Sequence, residues 1–184
     1  MGSANKGDRG SIQLCVGAGA ATFKAVALAS KLCQEGFSVR VAIGQAGLEF
    51  VQPLSFEAVG AGPIITTSTA MDADGHASHL RAGEARALVI LPATADLMAK
   101  VAHGLADDAP SLAALCAPDL KLFCPAMNNH MWSNFFVQEN VKRLEGAGWL
   151  KVGPVEGMLG EGYAAIGRMV EPEEILERVL TLCP

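Results

Sequence analysis

The chain has 184 residues, enough for one domain with a sizeable core and too few for two ordinary ones. A net charge of −5, a single tyrosine and no basic run leave nucleic acid nothing to grip, and the uncharged apolar stretch 87–95 falls far short of the roughly 20 residues that span a bilayer. Hydrophobic residues make up 51% and charged residues only 18%, which is lean in charge for a globule that must wet its whole surface, so the composition predicts a homo-oligomer.

Residues 1–10 (MGSANKGDRG) are small and polar and lack the apolar centre of a signal peptide. They read as a disordered tail or cloning remnant ahead of one domain over 11–184, with a cytoplasmic location expected. Cys15, Cys33, Cys116, Cys124 and Cys183 form no CxxC pair and sit mostly in apolar runs. They read as free thiols in a reducing compartment, with no metal site.

Strand-length apolar runs then alternate with segments of helical period. Residues 12–16 predict a strand and 20–35 a helix, closed by Gly36, with a strand over 37–43 (FSVRVAI). A helical stretch over 47–59 is broken at Pro53. Residues 63–66 suggest a short strand, 67–75 a polar loop, and 77–85 a helix despite Gly83. The continuous run ALVIL over 87–91 predicts a central strand covered on both faces. Helices are expected over 94–105 and 111–117, a strand over 121–124 (KLFC), and a helix capped by Ser133 running to Glu145. A strand over 149–152, a Gly-rich loop over 153–167 and a last helix at 172–182 complete the pattern. The alternation implies an α/β fold with a doubly wound parallel sheet.

In such sheets ligands bind beyond the carboxyl ends of the strands. The loop 17–22 (GAGAAT) brings small residues to a helix N-terminus, as a phosphate site or a tight turn would. No acid closes the second strand before Glu49, which argues against NAD and for a mononucleotide. The loop 92–96 (PATAD) offers Thr94 and a second helix start. The third loop, PAMNNHMW over 125–132, offers the Asn128 amide to a carboxylate, with Met127, Met131 and Trp132 as an apolar wall. A carboxylate held against such a wall is destabilised relative to neutral carbon dioxide.

PAMNNHMW resembles the Pro-X-Met-Asn-X-X-Met-Trp signature of the homo-oligomeric flavin-containing cysteine decarboxylases at all five specified positions. That family includes phosphopantothenoylcysteine decarboxylases and lantibiotic-type peptidyl-cysteine decarboxylases. The resemblance extends to 16–24, 50–58 (FVQPLSFEA), 91–108 and 166–172 (IGRMVEP). It implies a Rossmann-like flavoprotein decarboxylase domain, assembled as a trimer or dodecamer, with FMN (or FAD) at the subunit contact. Gly17, Ala18, Gly19, Thr22, Pro92, Ala93, Thr94, Ala95 and Ser111 would then line the flavin. Asp96 stands where relatives carry Asn. Asn128 would anchor the substrate carboxylate, with Met131 and Met169 beside the substrate. His79, or its neighbour His76, would be the catalytic base, while His103 and His130 read as surface or packing histidines.

Cysteine has no electron sink for decarboxylation, and the resemblance implies that flavin supplies one by oxidising the carbon that bears sulfur. In the coenzyme A branch a cysteine then protonates the product as the flavin is reoxidised. The corresponding segment here, 157–169 (GMLGEGYAAIGRM), has no cysteine and places Glu161 there. The expectation is therefore oxidative decarboxylation of a peptide's C-terminal cysteine to an aminoenethiol. Reductive decarboxylation of phosphopantothenoylcysteine is the first alternative. A catalytically silent flavin-binding regulatory subunit is the second.

Overall fold

Six apolar runs pair edge to edge into one parallel sheet in the computed structural model, which describes residues 8–184. They are β1 (Ser11–Val16), β2 (Ser38–Ile43), β3 (Ile64–Ile65), β4 (Ala87–Ala93), β5 (Lys121–Pro125) and β6 (Leu150–Lys151), in the order β3-β2-β1-β4-β5-β6. The chain therefore winds outward from β1 to one edge, returns to β4 and winds to the other. Along β4 every residue is buried, as a continuous apolar run in the middle of a parallel sheet requires.

Alternate side chains of each strand feed two separate cores. Ile12, Leu14 and Val16 of β1, with Ala87, Val89 and Leu91 of β4, pack under α1 (Phe23–Gln34) and α8 (Pro172–Leu182). Leu88, Ile90 and Phe123 point the other way, against α4 (Ala95–His103), α5 (Ala109–Leu115) and α7 (Phe135–Gly146). Burial pushes the Cys15 and Cys124 thiols up, which keeps them protonated and inert. All five cysteines are free.

The short helices α2 (Gln45–Leu48) and α3 (Pro53–Glu57) match the break expected at Pro53. Two expected helical segments are tighter. Ala20–Thr22 is a 3-10 turn leading into α1, and Ser78–Glu84 is a 3-10 helix throughout. In the latter, Gly83 lies so near the Cys116 carbonyl that a Cβ would meet it at 3.0 Å. The Gly-rich loop expected over 153–167 is instead an antiparallel hairpin, β7 (Val155–Met158) and β8 (Ala164–Arg168). Its turn closes through Leu159 N–H to the Tyr163 carbonyl and Gly162 N–H to the Leu159 carbonyl. Glycines and charges interrupt the alternation that would have revealed these strands. No helix among the described residues is long and apolar enough to cross a membrane.

Of the expected tail, residues 1–7 lie outside the described residues. Arg9 and Gly10 are stitched to the domain: Arg9 N–H donates to the Gly36 carbonyl, and Ser38 N–H donates to the Gly10 carbonyl.

Candidate functional site

The winding direction reverses between β1 and β4, so the loops leaving these neighbouring strands diverge and open a crevice. A cleft of about 880 Å³ lies there, lined by Ala18, Gly19, Pro92, Thr94, Asn128 and Met169 among others. That size is within the roughly 300–1,000 Å³ of small-molecule sites. Gly17 makes the crevice possible, because a Cβ there would stand 2.3 Å from the Pro92 carbonyl oxygen. Only a residue without one lets the two loops touch. The buried Thr22 hydroxyl accepts from Gly19 N–H at 3.1 Å and lies 2.9 Å from the Gly17 carbonyl, tying the loop down from below. Thr94 caps α4 by accepting from Leu97 N–H at 3.3 Å.

After β5 comes PAMNNHMW, of which Ala126, Met127, Asn128 and Met131 line the cleft. Asn128 is the N-cap of α6 (Asn129–Trp132), and its Oδ1 accepts from His130 N–H at 2.8 Å. That bond turns the Nδ2 amide towards the cleft. There it donates to Glu161 Oε1 at 2.8 Å and to the Tyr163 hydroxyl at 3.1 Å, both from the β7–β8 turn. Tyr163 in turn donates to Asn129 Oδ1 at 2.6 Å. The hairpin is seated by Met127 N–H bonding to the Gly167 carbonyl. A Cβ on Gly167 would stand 2.2 Å from the Met127 carbonyl oxygen.

Not every expected residue reaches this cleft. Ala95, Met131 and Met169 line it. Gly17 lines a small adjoining recess with Asp96, and Ala93 is wholly buried in β4. Ser111 is also wholly buried, where it completes the cap of α5: its N–H donates to Asp108 Oδ1 at 2.9 Å and its hydroxyl lies 2.6 Å from the same oxygen. Burial works to raise the Asp108 carboxyl, but Lys100 and Ser111 hold it below its ordinary value. Asp96 turns to Lys100 at 3.4 Å. Trp132 packs against the second core and under Lys151 rather than forming the cleft wall.

His79 does not line the cleft. It sits on the 3-10 helix Ser78–Glu84, half-buried, with Nδ1 lacking a hydrogen-bond partner among the described residues. His76 is exposed and paired with Asp74 at 3.2 Å. His103 and His130 are exposed. The cleft also recruits residues that sequence reading did not single out. Lys24 and Arg168 each reach Glu171 Oε1 at 3.0 Å, and Phe23 and Met158 add apolar wall. Lys24 and Glu171 lie 147 positions apart, a distance over which no local pattern signals contact. No group of three metal-ligating side chains comes together among the described residues.

The profile of the Flavoprotein family matches residues 3–183. This chain belongs to the Flavoprotein family. The chain is 36% identical over 167 residues to the coenzyme A biosynthesis bifunctional protein CoaBC of Bacillus subtilis, covering 90% of this chain and 41% of that protein. It thus spans about two fifths of that curated relative's length. Among solved structures, the FMN-dependent cysteine decarboxylase SpaF superposes with a TM-score of 0.76 at 29% identity, over 98% of this chain and 100% of that one. A PPC decarboxylase complexed with pantothenoylaminoethenethiol shares the fold, with a TM-score of 0.78 at 24% identity over 95% and 98% of the two chains.

The cleft of this flavoprotein suits a flat aromatic ring system. Its floor is made of small residues whose backbone a ring can approach, and Phe23, Met131, Met158 and Met169 supply apolar walls. Ala18, Gly19, Pro92, Thr94, Ala95 and Asn128 all line it.

Proposed function

We propose that this chain is an FMN-dependent cysteine decarboxylase whose substrate is phosphopantothenoylcysteine. The observation that carries the chemistry is the Asn128 amide, oriented by its own cap bond and presented to an apolar cleft at the sheet's switch point. The choice of substrate rests on likeness to CoaBC, 36% identical across 90% of this chain. It replaces the peptide substrate expected from sequence, which that likeness does not favour.

Ala18, Gly19, Pro92, Thr94 and Ala95 would hold the flavin. Bound FMN supplies the two-electron chemistry that gives a cysteine carboxylate an electron sink. Asn128 donates to the substrate carboxylate without adding charge, and Met131 and Met169 keep water from solvating it, which favours neutral carbon dioxide. His79 serves as base at the thiol. Because His79 is absent from the cleft of its own chain, a second copy would bring it, in keeping with the expected homo-oligomer and a flavin at the subunit contact. The exposed Phe135 and Phe136 are apolar surface that such an assembly would cover.

One observation favours a second reading, oxidative decarboxylation of a peptide ending in cysteine: the segment 157–169 contains no cysteine. Mass spectrometry separates the two. Flavin-loaded protein given phosphopantothenoylcysteine should release a product lighter by carbon dioxide alone. Turnover confined to a peptide ending in cysteine, with two further hydrogens lost, would replace the first reading by the second.

A further inference from the structure

The amide that the proposed reaction assigns to the substrate's carboxylate is already bonded to one. Asn128 Oδ1 is committed to His130 N–H, so its binding capacity towards the cleft is the two protons on Nδ2. Glu161 Oε1 takes one at 2.8 Å and the Tyr163 hydroxyl takes the other at 3.1 Å. Both acceptors come from the turn of a hairpin whose base is seated at Gly167 and Met127. Glu161 also lines the cleft, beside Met158 and Leu159.

We infer that Glu161 is a built-in competitor for the carboxylate site: the hairpin turn latches onto Asn128 through Glu161, and a substrate binds by exchanging its own carboxylate for that of Glu161. This rests on Asn128 being the carboxylate anchor. Two carboxylates cannot share one amide without repulsion, so an arriving anion expels Glu161 and frees the turn. A neutral ligand brings no such charge, and the latch stays closed against it. Glu161 thereby costs affinity for carboxylate ligands alone and leaves that for neutral analogues unaltered.

The test uses flavin-loaded protein and S-methylated pantothenoylcysteine, whose thioether blocks oxidation, together with its carboxamide. Affinities are measured by calorimetry, and hydrogen exchange is followed over residues 155–168. Glu161→Ala should bind the carboxylate about three- to ten-fold tighter and the carboxamide unchanged. Its ligand-free hairpin should exchange as fast as that of the wild type does only with carboxylate bound. Glu161→Gln, which keeps a neutral acceptor, should fall between. Equal or weaker carboxylate binding by Glu161→Ala, or unaltered hairpin exchange, overturns the latch. If Asn128→Ala at the same time loses the preference for carboxylate over carboxamide, the anchor stands without the latch. If Asn128→Ala keeps that preference, the anchor fails and the latch with it.

Discussion

Asn128 carries two duties that its side chain divides cleanly: Oδ1 starts a helix and Nδ2 faces the cleft. Replacing it by Ala should lower kcat/KM about 10- to 100-fold, as the loss of a hydrogen bond to a charged group does. Steady-state kinetics with phosphopantothenoylcysteine check this. Gly17 is a second residue whose substitution the structure strains. Gly17→Ala would drive a Cβ to 2.3 Å from the Pro92 carbonyl, and the forced shift should cost about 1–3 kcal/mol. Thermal unfolding should show a lower midpoint, and the purified variant should carry less flavin per chain. Both residues were visible in sequence, Asn128 through its motif and Gly17 through its small-residue loop. Glu161 was visible as a departure from the family's cysteine, but its bond to Asn128 was not. Their 33-position separation leaves no local trace.

At the scale of elements, the β7–β8 hairpin depends on Gly167, which has a φ of +139° and abuts the Met127 carbonyl. Gly167→Ala should unseat the hairpin while the sheet stays folded. Hydrogen exchange should rise over 155–168 and remain unchanged in β1 and β4. The caps give a pH prediction. Asp108 is held below its ordinary 3.8 by Lys100 and Ser111, against the opposing effect of burial. Asp72 is held below the same value by its bonds to Ser78, then Arg81 and Arg40, again against desolvation. A carboxyl whose folded pKa is depressed stabilises fully above its unfolded value and loses that contribution as pH falls through the folded one. The thermal midpoint should therefore drop as pH falls below about 5, and less steeply in Asp108→Asn. Element types were largely legible, since helical and strand periods are local properties. The hairpin was missed because its glycines hide the alternation. The helix start expected at Ser133 moved to Asn134, whose side chain caps α7, because Ser133 instead ends the short helix α6.

For the whole molecule, the central strand β4 carries stability. Leu88→Ala, at a wholly buried position, should cost roughly 2–5 kcal/mol. Calorimetry should then show the midpoint lowered by about 2–4 °C for each kcal/mol. What the amino-acid order by itself determined was the alternation of strands and helices, the parallel sheet and the three ligand-facing loops. These follow from periodicity and turn chemistry, which act over a few residues. Only the tertiary structure decided which of those residues share a cleft. It withdrew Ser111 into a cap, set His79 outside the cleft of its own chain, and laid Glu161 and Tyr163 across Asn128. The last of these depends on the β7–β8 hairpin being seated against Met127 through Gly167. Packing between distant segments sets that, not any local preference.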